Sequence, residues 1–443
     1  MQPLTLREFS IVESPIEDVV SEIREEDVTS SSDELSRKVA GILSDVSTRG
    51  DDSLLEFSRK FDGTSFDKAT DLFVRKEEFD AAAESVPKEK LGALALALKQ
   101  IRWFARKQKE TRFGEKRFRT PLGHAVTERF VPLDRVGGYV PGGLASYPST
   151  VLMICGPARE AGVKDIVLAT PPGKDGRVND GVLTAAKLCG VREVIKLGGA
   201  QAVAALAYGT SSIKKVDLIA GPGNKYVTEA KRQAAASGLV SIDALAGPTE
   251  LLILADRIAN PEYVSEDVLS QAEHGNKTLC GVVSDSSELL SQVKGIIQRP
   301  QSERERLESI RQSYLFFVRA KNLSQAVKFA QAFAPEHLEV MVAKKKVSRA
   351  LSRSGLVLVG ENTPCSATDY IVGTDHILPT GGSASRMNGV SLGTFLRRVE
   401  VVQATSNSLK KSLNALSTLA LMEGLPNHAR AANIRFSKKR ERS

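Results

Sequence analysis

Six consecutive segments decide the fold: DIVLATPP (165–172), GVLTAAKLCGV (181–191), REVIKLGG (192–199), AQAVAALAYG (200–209), VDLIAGPG (216–223) and NKYVTEAKRQAAAS (224–237). Short runs rich in Val, Ile and Leu alternate with alanine-rich segments of helical length. That rhythm predicts βαβ units and a parallel sheet. The strands end in Gly- or Pro-rich turns, where open α/β sheets place their ligands.

Working outward, a second alternating segment begins near residue 250. It runs ELLILAD, a helix through EYVSEDVLSQAEHG, LCGVVSDS, a helix to Gln298, and SYLFFVRA, then LSQAVKFAQAFA, HLEVMV and GLVLVG. Upstream, residues 1 to 120 predict helices. Leu35, Val39, Ile42, Leu43 and Val46 recur at helical spacing before Gly50 stops the run. KEKLGALALALKQIRWFARKQKE is a second helix. Downstream, Leu409, Leu413, Leu416 and Leu419 form one helical stripe. The expected organisation is a mainly helical part (1–135) packing with the second lobe, a first α/β lobe (136–245), a second α/β lobe (246–385) and a helical C-terminal segment (386–443).

Composition narrows the function classes. At 443 residues the chain exceeds one ordinary core, and 42% hydrophobic with 26% charged residues is the balance of a soluble globular protein. One Trp and 5% aromatic residues argue against a base-stacking nucleic-acid binder. The start of the chain has no apolar run long enough for a signal peptide, and no stretch approaches the roughly 20 apolar residues of a membrane span. The expectation is a cytoplasmic protein with neither nucleic-acid nor membrane partner. Cys155, Cys189, Cys280 and Cys365 are dispersed, which excludes a thiolate zinc finger and predicts buried, reduced thiols. Part of the net charge of +8 sits in the tail RFSKKRERS, read as a solvated end.

Four of the five histidines, His274, His337, His376 and His428, lie in the C-terminal 40% or so of the chain. In VSEDVLSQAEHG the i, i+3 spacing puts Gln271 beside His274, near an apolar stripe. Metal ligation accounts for that placement, and so does a surface Gln with an imidazolium at a helix C-terminus. In FAPEHLEV, Glu336 and His337 stand at an element junction, as a general base and proton acceptor or as a solvated turn. CSATDYIVGTDHILPT supplies Asp369, Asp375 and His376, which suit zinc or an Asx-rich turn. EGLPNHARAANIR adds Glu423 and His428. No pair has HExxH spacing, and none of the glycine-rich turns is GxGxxG, so a nucleotide would be held unconventionally.

Taken in order, GDDSLLEFSRKFDG, RVGGYVPGG, YPSTVLM, GGAQAVAALAYGT, AGPGNKYV, AGPTE, LSQAEHG, APEHLE, DYIVGTDHILPT and EGLPNHARAA resemble histidinol dehydrogenase over residues 40 to 435. The resemblance implies two Rossmann-like α/β lobes and a C-terminal extension that crosses to the partner subunit of a homodimer with a shared active site. It implies zinc ligands at Gln271, His274, Asp369 and His428, one ion per subunit, and a catalytic pair at Glu336 and His337. Substrate contacts would involve Thr249, His376 and Glu423 together with His337 and the metal ligands. NAD contacts would fall at Tyr139, Gln201 and Asn224. The implied reaction is four-electron oxidation of L-histidinol to L-histidine through bound L-histidinal, the last steps of histidine biosynthesis. Three positions depart from the pattern: Thr249 replaces the usual Ser, Asp375 the usual Asn, and Ala105 a frequent His. Asp375 is expected to add a negative charge beside His376. The first two leave room for a same-family dehydrogenase acting on another alcohol, such as a sulfonated propanediol.

Overall fold

A computed structural model describes residues 4–25, 33–142, 146–245, 247–275, 277–299, 305–343 and 345–437. Lys438, Lys439, Arg440 and Arg442 of the basic tail lie outside the described residues. The chain divides into two units, one formed by residues 1–107 with 133–395 and the other by 108–132 with 396–443.

The larger unit is mixed α/β and holds two parallel sheets. In the first, five described strands lie in the order Glu193–Lys196, Asp165–Thr170, Arg135–Tyr139, Leu218–Ala220, Ser241–Ile242. Helices cover both faces, so the inner strands read as nearly continuous apolar runs. Helix Gly199–Tyr208 is almost wholly buried, and helices Asp33–Arg49 and Lys225–Ala236 pack against it. RVGGY, which lies ahead of the alternating runs that begin at DIVLATPP, is the central strand. Close packing explains both glycines. A Cβ on Gly137 would sit 3.0 Å from Leu206 of the covering helix, and one on Gly138 2.5 Å from Leu168 of the neighbouring strand.

The second sheet has six described strands in the order Leu6–Ser10, Tyr314–Arg319, Leu279–Ser284, Glu250–Ala255, His337–Met341, Leu356–Val359. Its two faces bury separate apolar clusters, one around Ile253, Val268 and Phe317, the other around Leu252, Phe316 and Phe333. The N-terminal part, read as helical, opens with an edge strand: Leu6–Ser10 pairs with Tyr314–Arg319. Helix Ile16–Glu25 then packs on Leu323–Phe333 beside that sheet, while helix Lys76–Ser85 packs on Asp180–Leu188 beside the first sheet.

The smaller unit is an antiparallel sheet in the order Leu396–Gln403, Ala125–Pro132, Lys116–Arg119, followed by helices Ser406–Met422 and Pro426–Asn433, which pack on each other. The strand Leu396–Gln403 lies in a segment expected to be helical; its pairing with Ala125–Pro132, far away in sequence, overrides local preference. Among the described residues no helix is long and apolar enough to cross a membrane. All four cysteines are buried and free.

Candidate active site

At the carboxyl ends of the first sheet, Tyr139, Gln201 and Asn224 line one cavity of about 750 Å³, together with Lys38, Lys60 and Asp62. Tyr139 ends its strand, and its hydroxyl accepts the Gly199 N–H at 3.0 Å. Burial pushes that phenol up to about 12, so it stays protonated. Gln201 Nε2 donates to Asp62 Oδ2 at 3.4 Å, and burial raises the Asp62 carboxyl to about 6. Asn224 caps helix Lys225–Ala236, its Oδ1 accepting the N–H groups of Tyr226 and Val227. Two helix N-termini, at Gly199 and Lys225, therefore open here, the arrangement that suits a phosphate-bearing ligand. The turn between them is held from both sides. Gly221, at φ +124°, donates its N–H to Asp243 Oδ2 at 2.8 Å, and its carbonyl accepts Lys231 Nζ at 2.9 Å. Lys231 and Asp243 close the clamp as a buried ion pair. A Cβ on Gly221 would meet the Tyr139 carbonyl oxygen at 2.1 Å, so only glycine fits.

The second cluster is built at the amino ends of the second sheet. Glu250 and His337 each begin a strand, and the register His337 opposite Leu251 sets Glu336 beside Glu250. The turn ahead of them carries Ala334 at φ +49°, a left-handed conformation that a non-glycine residue adopts at some cost. His337 is 2% exposed, with Nδ1 3.8 Å from Glu336 Oε2 and Nε2 3.7 Å from Asp369 Oδ1. Among the described residues neither ring nitrogen has a hydrogen-bond partner. Burial lowers this imidazole to about 4, against the pull of the Asp369 carboxylate, so at neutral pH it is an acceptor. Glu336 goes the other way: burial above all, then the charges of Glu250 and Asp369, hold it well above the ordinary carboxylate range.

Gln271, His274 and Asp369 line a cleft of about 880 Å³ bounded by both lobes of the larger unit. Helix Pro261–Ala272 ends at Gln271–Ala272, and the Gly275 turn (φ +62°) puts His274 just beyond it. Gln271 Nε2 donates to Asp369 Oδ2 at 3.1 Å, which brings the two elements together. His274 is exposed by area because it opens into the cleft, yet the surrounding walls lower its imidazole by desolvation. His376 Nδ1 lies 2.9 Å from the Asp369 carbonyl, and burial lowers it as well. The set offers amide oxygen, imidazole nitrogen and carboxylate oxygen, donors that suit zinc, and the orphaned His337 nitrogens stand beside it. His337, Cys365 and Asp369 also bring ligand atoms within 4.8 Å of one another. In that second set burial, then the charges of Asp369, Glu339 and Glu336, pushes the Cys365 thiol well up.

The remaining expected residues fall as follows. Thr249 precedes Glu250, its carbonyl accepting the Leu279 N–H at 2.9 Å. Asp375 Oδ1 accepts the Ile377 N–H, while Oδ2 is buried with no partner among the described residues. Burial raises its carboxyl well above the ordinary carboxylate range. Glu423 and His428 belong to the smaller unit, on exposed helix ends.

Sequence reasoning missed the groups that hold this cluster from behind. Glu339 Oε1 accepts the Cys365 N–H at 2.7 Å, capping the helix that carries Asp369. Asp267, one turn before Gln271, faces Glu339, and burial pushes both carboxyls up. Glu339 lies two residues from His337 in a buried strand, and a Glu at that alternation was the available signal. Arg24 and Glu250 offered none locally.

The profile of the histidinol dehydrogenase family matches residues 25–436. The histidinol dehydrogenase of Synechococcus sp. is 42% identical over 404 residues, 90% of this chain and 91% of that protein. That of Xanthomonas axonopodis pv. citri is 42% identical over 403 residues, 90% and 92% of the two chains. The crystal structure of histidinol dehydrogenase from Elizabethkingia anophelis superposes with a TM-score of 0.91 at 32% identity, covering 97% of this chain and 98% of that one.

Proposed function

The chain belongs to the histidinol dehydrogenase family of NAD-dependent oxidoreductases, and on that footing we propose that it oxidises L-histidinol to L-histidine in two successive hydride transfers to NAD. The balance is L-histidinol, two NAD⁺ and water giving L-histidine, two NADH and three protons. The observation that carries the reading is the convergence of Gln271, His274, Asp369, Glu336 and His337 on one part of the larger unit.

In this reading Tyr139, Gln201 and Asn224 hold NAD. Gln271, His274, Asp369 and His428 hold one zinc ion, which when bound supplies a Lewis acid that orients the substrate's nitrogens. His337, kept neutral by burial, accepts the carbinol proton as the first hydride leaves. Glu336 takes a proton from water as water adds to the bound aldehyde, and the hydrate gives up the second hydride. Thr249, His376 and Glu423 complete the substrate contacts.

The smaller unit supports a homodimer with a shared site. Leu419, Leu421, Met422 and Val402 are each more than half exposed, and few of its described residues are buried. A second copy of the chain covers that surface, and His428 and Glu423 serve the partner's site.

The test is redox stoichiometry: purified enzyme should form two NADH per L-histidinol consumed. One NADH per substrate, or faster turnover of dihydroxypropanesulfonate, transfers the assignment to another alcohol.

A further inference from the structure

Glu250 and Glu336 lie side by side at the amino ends of neighbouring strands, both buried, and they are not equivalent. Each carboxylate accepts the other's backbone N–H: Glu250 N–H to Glu336 Oε2 at 2.9 Å, Glu336 N–H to Glu250 Oε2 at 3.2 Å. At this edge of a parallel sheet the first N–H groups lack strand carbonyls, so the reciprocal pair satisfies both.

Glu250 alone receives the cation. Arg24 donates through Nη1 to Oε1 and through Nη2 to Oε2, the latter at 3.2 Å, and the Gly381 N–H adds 2.7 Å to Oε1. The same guanidinium donates to the Phe333 carbonyl at 2.7 Å and lies 4.2 Å over the Phe333 ring. Arg24 therefore ties Glu250 to the end of the helix whose turn leads into Glu336. Forked ion pairs with stacking are rigid, because the planar guanidinium fixes orientation as well as charge. Among the described residues no Lys or Arg pairs with Glu336, which faces the His337 ring instead.

We propose that Arg24 and Glu250 are positioning residues for the aldehyde-to-acid half of the reaction, holding the Glu336 carboxylate where it takes a proton from the attacking water. This inference rests on the functional reading above. In the step it serves, a water oxygen bonds to the aldehyde carbon. The water's proton passes to Glu336, and the carbonyl oxygen takes a proton from protonated His337. The resulting hydrate then delivers its hydride to NAD⁺. The first half, alcohol to aldehyde, needs His337 and no attacking water, so displacing Glu336 leaves it intact.

The experiment measures the two halves separately on the full-length, zinc-loaded chain with NAD: first-turnover NADH from L-histidinol, and steady-state NADH from supplied L-histidinal. Arg24→Met and Glu250→Gln should each slow aldehyde oxidation by roughly 10²-fold, the lower end of general-base contributions. First-turnover alcohol oxidation should change by less than about threefold, the zinc content should stay constant, and Arg24→Lys should recover part of the loss. Should the first two variants fail to fold, Arg24→Lys alone decides, by slowing the aldehyde half selectively or not. Equal slowing of both halves, loss of zinc, or no change overturns the inference. A wild-type chain that oxidises neither compound overturns the functional reading instead.

Discussion

The two lobes put their functional side chains at opposite ends of their sheets. In the first, the pocket residues follow their strands: Tyr139 ends one, Gly198–Gln201 comes after Glu193–Lys196, and Asn224 comes after Leu218–Ala220. In the second, the acid and imidazole groups precede theirs, at Glu250 and at Glu336–His337. Carboxyl ends feed helix N-termini, so the first lobe presents backbone N–H groups and suits an anionic ligand. Amino ends leave strand N–H groups to be satisfied, and carboxylates satisfy them in the second lobe. On the proposed function, the first lobe recognises NAD by main chain. The second fixes ionisable side chains in place, where chemistry needs them.

The largest expected effect tests the second lobe. His337→Ala removes the proposed proton acceptor, so kcat should fall by about 10²–10⁴-fold while KM for NAD stays within a factor of about two. Metal analysis of the same variant sharpens the comparison. Zinc should be retained, because Gln271, His274 and Asp369 remain. Loss of zinc would move the metal to the set of His337, Cys365 and Asp369.

The next effect tests the first lobe. Lys231→Met leaves Asp243 buried without its cation and frees one side of the Gly221 turn. Breaking a buried pair this way costs about 3–5 kcal/mol, to be read as a lowered Tm. Affinity for NAD should fall with it, whereas zinc content should not change. If zinc binding failed in parallel, the two lobes would be one cooperative site, and the contrast drawn above would break.

The same contrast explains what could be read from the sequence. Buried parallel strands such as ELLILA and LFFV announce themselves as apolar runs, and Gln271 and His274 are neighbours by helical spacing alone. Arg135–Tyr139 does not announce itself, because the Leu206 and Leu168 side chains that demand Gly137 and Gly138 come from elsewhere in the fold. Leu6–Ser10 is a charged edge strand whose partner begins at Tyr314, and no local pattern encodes that pairing. The site divides likewise. Glu336 and His337 stand out as adjacent polar residues before an apolar strand. Arg24 and Asp267 gain their meaning only when the register brings Glu250 and Glu339 to them.

The smallest expected effect falls on one hydrogen bond of the first lobe. Tyr139→Phe keeps the ring, which is 4% exposed and packed in the core, and deletes only the hydroxyl that accepts the Gly199 N–H. Gly199 starts the buried helix Gly199–Tyr208, and its φ of +62° is already a conformation that depends on its surroundings. An N–H that loses its acceptor in a partly enclosed cavity costs about 1 kcal/mol, equivalent to roughly fivefold in affinity. NAD binding should weaken by that amount in a titration, with kcat at saturating NAD unchanged. If main-chain donors define this lobe's recognition, the loss appears in binding alone. A fall in kcat would mean instead that the Tyr139 hydroxyl reaches the reacting atoms, and the division between a recognising lobe and a reacting lobe would fail at that residue.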